Sequence, residues 1–200
     1  EWMDEPEPMG LKEEVANFVV AAYVLMDNRV LVEAGQTIDP DIKDLKPTTE
    51  VRTQELPSED DWEAARGPAE AIFGVGTASP IRNAQNVSKF VDSVREVAGN
   101  HAEASRQLVD QLEMAVGKMQ MDEDTARLRT ARTARNVVDA VLSADEVEVV
   151  SVLAGVEPPT SLAALGRSIK TAHEVVRAID ETHWTLFDSL RNLSGEAAEK

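Results

Sequence analysis

Two runs of residues spaced by sevens restrict this chain to long, laterally packed helices. Val87, Val94, His101, Leu108 and Ala115 form the first run, with Phe90, Val97 and Ala104 three places further on. Ile169, Val176, His183 and Leu190 form the second, with Ala172, Ile179, Leu186 and Leu193 as the offset set. This spacing lines apolar side chains along one helix stripe, which water disfavours until another helix covers it. Between the runs, Ala126, Leu128, Ala131, Ala134, Val138, Val141 and Leu142 predict a third helix over about 122–142, opened by Asp122-Glu123-Asp124. A shorter helix is expected from Asp145 to Ala154, stopped by Gly155 and Pro158-Pro159. Thr160-Ser161 then opens another short helix before the last long one. Such helices pack antiparallel at shallow angles, and Ala104, Ala115 and Ala172 in the seams allow close approach.

The first 70 residues read differently. Leu11, Val15, Phe18, Val19, Ala22, Tyr23 and Met26 recur at three and four, which predicts a helix buried on that face and stopped at Asp27-Asn28. Arg29 to Glu33 and Glu50 to Glu55 lean towards strand, separated by turn residues at Gly35, Asp39-Pro40 and Lys46-Pro47. Ser58 is placed to accept the N–H of Asp61 and open a helix that carries Trp62, Ala65, Ala69 and Ile72 inward. Pro68 falls inside that helix and predicts a kink or break. Gly, Ser and Pro between Gly74 and Pro80 mark a boundary. The expected fold is therefore mainly α: a small helix–β-hairpin–helix subdomain (1–78), a long-helix antiparallel bundle (79–195) and a tail (196–200).

Charge narrows the partners. Lys and Arg number 20 against 37 Asp and Glu, a net charge of −17. Residues 1–70 hold 18 acids and 6 bases, and residues 71–200 hold 19 and 14. Duplex nucleic acid is a poor partner for such a chain as a whole, because Lys and Arg are what bind phosphates. The absence of cysteine removes disulfides, thiolate metal sites and thiol nucleophiles, and fits a cytoplasmic location. The longest apolar run, Phe18 to Met26, is far short of the roughly 20 residues of a membrane span. The acidic start at Glu1, Asp4, Glu5 and Glu7 has no signal-peptide pattern, and a first residue other than methionine leads us to expect a piece of a longer chain.

Little in the chain carries chemistry. His101 and His183 sit at seam positions, where a metal-dependent enzyme is one reading and polar residues that set helix register are the plainer one. His173 lies off the seam and reads as solvated. No GxSxG is present, and Gly74-Val75-Gly76-Thr77 has no following Gly-Lys-Ser/Thr to make a nucleotide loop. The acidic groups Asp60-Asp61 and Asp122-Glu123-Asp124 read as helix starts. One local basic feature stands out: Arg127, Arg129, Arg132 and Arg135 within nine residues. These arginines are the candidate contacts for phosphate or an acidic partner. The plainer reading is a solvated face that bridges to the acidic N-terminal part. No interleaved aromatics accompany them for base stacking.

Asp4-Glu5-Pro6-Glu7-Pro8-Met9-Gly10-Leu11-Lys12-Glu13-Glu14-Val15-Ala16-Asn17, then Leu56-Pro57-Ser58-Glu59 leading to Trp62-Glu63-Ala64-Ala65, and Ala134-Arg135-Asn136, form a distinctive set of words. Together they resemble the C-terminal region of actinobacterial phage-resistance P-loop ATPases, the PglY type of the phage growth limitation system and its BREX relatives. The best-matching stretch is about 3–75, and the long helices match in style more than in words. The resemblance implies a large antiviral ATPase whose ATP and Mg²⁺ site lies N-terminal to this piece. None of that family's Walker residues falls on a position here, so no catalytic residue, metal ligand or cofactor is carried over. The implied role is a non-catalytic helical interaction or regulatory region that contacts the parent ATPase, partner proteins or a second copy through its seams. The alternative is a nucleic-acid-contacting helical module whose N-terminal part is a degenerate winged helix.

Overall fold

The computed structural model describes residues 12–40, 43, 45–53, 55–76, 80–122 and 124–192. Among these, the order is α1 (Glu13–Met26), β1 (Arg29–Glu33), β2 (Gln36–Ile38), β3 (Glu50–Thr53), α2 (Glu59–Phe73), α3 (Ala84–Met119), α4 (Ala126–Ser143), α5 (Glu146–Ala154), α6 (Leu162–Lys170), α7 (Ala172–Asp180) and α8 (Trp184–Asn192). The fold is mainly α, as the spacing of sevens predicts. Leu11, Leu193, the 196–200 tail, the side chain of Leu190, Glu123 and residues 77–79 of the expected boundary lie outside the described residues.

The first seam is realised as one helix. Asn83 Oδ1 accepts the N–H of Asn86 at 2.8 Å to start α3, and Gln120 ends it in the left-handed region at φ 53°. The helix has 36 residues, a length of about 54 Å at 1.5 Å per residue. Val87, Val94, Leu108 and Ala115 are buried as expected, and His101 is half-buried. The N-terminal half of α3 (Val87 to Ala98) shares a core with Trp62, Ala69 and Ile72 of α2, Val138 of α4, Leu153 of α5 and Leu165 of α6. Leu108 and Val109 from its C-terminal half join Leu128 and Ala131 of α4 and Ala172 and Val176 of α7. Burying one aliphatic side chain is worth about 1.5–3 kcal/mol. Gly costs about 1 kcal/mol in a helix interior, so packing readily carries α3 through Gly99.

The second seam does not form one long helix. It is divided among α6, α7 and α8, with breaks at Thr171 and at Glu181 to His183. Thr171 and Thr182 each donate a side-chain hydrogen bond, at 2.8 Å, to the carbonyl four residues back, Arg167 and Ala178 respectively. Thr130 makes the same bond to Ala126 O inside the unbroken α4, so these bonds accompany the breaks without accounting for them. Ile169, Ala172 and Val176 are buried, but His183 and Leu186 beyond the second break are exposed. Lys118 lies over the Trp184 ring at 4.9 Å, tethering α8 to the end of α3.

Helix α2 begins as predicted, with Ser58 Oγ accepting from Asp61 N–H at 3.0 Å. Trp62, Ala65, Ala69 and Ile72 are all buried, and Trp62 meets Phe90 edge-on at 5.2 Å. The expected break at Pro68 is absent. Gly67 precedes it and lacks the Cβ that a proline ring normally pushes out of helical conformation. The helix closes at Gly74 (φ 75°), whose N–H meets Glu70 O while Val75 N–H meets Ala69 O. By its packing, α2 belongs with α3 to α6.

The N-terminal strands form a three-stranded antiparallel sheet in the order β2-β1-β3, where the sequence predicts a two-stranded hairpin. Leu31 faces Ile38 on one side and Val51 on the other. β2 is three residues of intermediate burial at most, too short for its alternation to be seen in sequence. Val30 and Val32 pack on Ala84 at the start of α3. Leu31 alternates to the opposite face, where α1 contacts β1. The sheet is joined to the helices by Thr37 Oγ1 at 2.8 Å from Ser88 Oγ, which in turn donates to Glu146 Oε1 of α5 at 3.2 Å. Gln85 Nε2 adds a 2.6 Å bond to Asp39.

The buried face of α1 differs from expectation. Ala21 and Val24 are buried, whereas Val15, Phe18, Val19, Tyr23 and Met26 are exposed. Residues 18–26 are apolar around the whole helix, so periodicity cannot select the inward side. The small sheet covers only a narrow strip.

Two predictions test these contacts. A Cβ at Gly166 of α6 would lie 2.3 Å from Ala71 O of α2. Gly166→Ala should therefore lower stability by roughly 1–3 kcal/mol in urea denaturation, and an unchanged midpoint would contradict the close approach. Glu146 has its pKa raised, chiefly by burial and further by Asp92 and Asp145, against the lowering effects of Ser88 and Arg95. The folded state then holds a proton that the unfolded state has released, so this group's contribution to stability falls as pH rises from the ordinary glutamate value through the raised one. Glu146→Gln should gain stability over the parent at pH 7 and show no gain near about pH 3.5, where both forms are neutral.

Candidate functional site

All four arginines singled out in sequence lie on α4; Arg129 and Arg132 project away from its buried stripe of Leu128, Ala131, Ala134, Val138 and Val141, whereas Arg127 lies on the side of that stripe, at the N-terminal end of the helix. Thr125 caps the helix by accepting Leu128 N–H at 3.2 Å, so α4 begins just after the acidic triplet expected to open it. The arginines meet different fates. Arg129 Nη1 binds Asp124 Oδ2 at 2.6 Å. Arg132 donates through Nη2 and Nε to Glu113 Oε1 of α3, at 2.8 and 3.0 Å. Arg135 Nη2 donates to Asn136 Oδ1 at 3.3 Å. Among the described residues, the carboxylate partners of Arg129 and Arg132 lie in the helical part, and the acidic residues 1–11 to which the face was expected to bridge lie outside the described residues.

A second cross-helix pair shows what the stripe is for. Arg106 Nη2 of α3 binds Asp139 Oδ1 of α4 at 2.6 Å. From Arg106 to Glu113 is seven residues along α3, and from Asp139 back to Arg132 is seven along α4. The two bridges therefore lie one heptad apart on antiparallel helices, with opposite polarity, and flank the apolar seam. Charges beside a seam set register and orientation in this way. The signal was present in sequence as Arg and Glu seven apart on one helix and Arg and Asp seven apart on the other. It is invisible until the two helices are aligned.

Arg127 is separate. It faces α6, where Thr130, Thr160, Ser161, Arg167 and Thr171 line a shallow cleft of about 520 Å³ with it. Its side chain keeps a solvent-facing surface, yet enough protein surrounds it to lower its pKa by desolvation. Arg167 lies outside the sequence-predicted set, because nothing in the spacing joins residue 127 to residue 167.

The histidines are not assembled into a centre. His101 is half-buried within α3, His183 is exposed between α7 and α8, and His173 is exposed on α7. Among the described residues no three His, Asp or Glu side chains are grouped to hold a metal ion, and no helix is long and apolar enough to cross a membrane.

A family model described as the sixth domain of the BREX system ATPase PglY protein matches residues 66–200, well over half of the chain. The chain belongs to this family. It is thereby a PglY-type component of a phage-resistance system. The match begins inside α2 and takes in every later element. The N-terminal words that carry the sequence resemblance precede it, and only Ala134-Arg135-Asn136 falls within it. The matched region thus holds the long helices and overlaps the stretch of about 3–75 at residues 66–75. No solved structure matches the chain.

The bridge geometry makes a quantitative prediction. Glu113 and Arg132 keep 45% and 40% of their side-chain surface in water. A double-mutant cycle through Glu113→Ala and Arg132→Ala should give a coupling below about 1 kcal/mol, shrinking as salt is raised. A salt-insensitive coupling of several kcal/mol would mean that the pair is far less solvated than its geometry indicates.

Proposed function

We propose that this region acts by protein contact rather than catalysis, within a PglY-type antiviral ATPase whose ATP and Mg²⁺ are bound elsewhere in the parent protein. In this reading it docks the ATPase onto itself or onto a partner defence protein in the cytoplasm. The observation that carries it is the exposed face of α1. Phe18 is 58% and Met26 85% exposed, next to Val15, Val19 and Tyr23 at the three- and four-residue spacing of one helix side. Large apolar side chains grouped on one surface are a feature of protein-binding sites, and an amphipathic helix face fits a groove on a partner. The net charge of −17 limits non-specific association, so such a face can persist without general aggregation.

The nucleic-acid reading loses support from the arginines, because Arg129 and Arg132 are already engaged by Asp124 and Glu113. The test places Phe18→Asp with Met26→Asp in the intact parent protein. Association with the rest of the defence system should weaken by roughly tenfold or more, as two apolar anchors are lost. Protection against phage should fall with it, while the melting temperature of the isolated chain stays unchanged because both side chains already face water. Full protection and unaltered association in the double variant would remove α1 as the docking face.

A further inference from the structure

The cleft between α4 and α6 has a charge composition unlike the rest of the molecule. Acids outnumber bases 37 to 20 in the chain, and most of the described arginines have a carboxylate or carbonyl partner. Arg127 and Arg167 have neither an ion pair nor a side-chain hydrogen bond among the described residues, and both line this cleft. None of its lining residues is acidic. Two arginine side chains thus line one concavity in which no described lining residue supplies a counter-charge.

Among the other lining hydroxyls, Thr130 donates to Ala126 O and Thr171 to Arg167 O, which leaves Ser161 as the donor to a ligand. Ser161 Oγ accepts Ala164 N–H at 3.1 Å as the cap of α6, which leaves its own proton free to donate. The N–H groups of Leu162 and Ala163 precede the first intrahelical bonds of α6 and lie at its positive end, while that of Ala164 is taken by Ser161. Thr130 Oγ1 donates to Ala126 O at 2.7 Å and lies 3.2 Å from Thr160 Oγ1, so the cleft wall is held in place by a short hydroxyl chain. A volume of about 520 Å³ lies within the usual range for small-ligand sites, roughly 300–1,000 Å³.

We infer that this cleft binds a small phosphate monoester or free phosphate, held between the Arg127 and Arg167 guanidinium groups with the Ser161 hydroxyl at the start of α6. The charge balance favours phosphate over a single carboxylate. A monoester carries about −1.5 to −2 at neutral pH and matches two guanidinium groups, whereas one carboxylate leaves a cation uncompensated. The concave shape and the strongly acidic surroundings favour a small molecule over a polyanionic strand. Partial desolvation of Arg127 without a counter-ion penalises its charge, and a bound anion reverses that penalty.

The inference is independent of the docking role of α1. It is tested by titrating the protein with inorganic phosphate, AMP and adenosine at constant ionic strength, reading melting temperature and binding heat. Phosphate or AMP should bind saturably while adenosine and matched chloride do not. Tighter binding of AMP than of phosphate identifies a nucleotide monoester, and equal binding identifies the phosphate group alone. Arg127→Gln and Arg167→Gln should each weaken binding by about tenfold or more, with unligated melting and helicity unchanged. Arg127→Lys, which keeps the charge but loses the fork, should fall between. Absence of saturable binding, binding equal in the two Gln variants and the parent, or binding of an acidic peptide or oligonucleotide in place of phosphate would each overturn the inference.

Discussion

The apolar stripe along α3 is the surface on which the rest of the helical part is assembled. Its first half meets α2, α4, α5 and α6 in one core, and its second half meets α4 and α7 in another. A stripe this long has no way to bury itself, so the later helices must return along it. The side chains on the partners are small where the backbones come closest. Ala65, Ala69, Ala131, Ala134 and Ala172 are all essentially inaccessible, and Gly166 lets α6 press on the backbone of α2. This explains how a chain with 4% aromatic residues can still make a closed core: the helices approach one another instead of being spaced by rings.

Apolar seams of Ala, Val and Leu are tolerant of sliding, and charge removes that tolerance. The Arg106–Asp139 and Arg132–Glu113 bridges lie one heptad apart on antiparallel α3 and α4, and a shift by one turn would break both. Each is partly solvated and contributes little to stability. Their value lies in selecting register, since a slipped pairing would bring like charges together. The same accounting separates Arg127 from its neighbours on α4. It belongs to the cleft with α6, not to the seam with α3.

The N-terminal sheet is joined to this body by polar contacts more than by apolar ones. Val30, Val32 and Ala84 form a small core, and the Thr37–Ser88–Glu146 chain and the Gln85–Asp39 bond surround it. Helix α1 lies on the far face of the sheet and is buried only through Ala21 and Val24. The outer layer is therefore attached to the helical body through one short sheet. That arrangement leaves an apolar surface of α1 facing water.

Sequence by itself determined the helices whose apolar residues recur with a clear period, and the cap at Ser58, where a side chain meets a backbone N–H three residues on. These are local matters, governed by spacing and by bonds within one turn. It also identified the four arginines of α4 as the exceptional basic feature in an acidic chain. It did not show that the second seam divides at Thr171 and at Glu181 to His183, because the same apolar spacing suits one long helix or several short ones. It did not select the buried side of α1, where every side is apolar, nor the three-residue strand β2. Tertiary structure decided these points, and it decided which arginine meets which partner. Glu113 and Arg132, or Arg127 and Arg167, become neighbours only when separate helices are laid side by side, and no periodicity within one helix encodes that alignment.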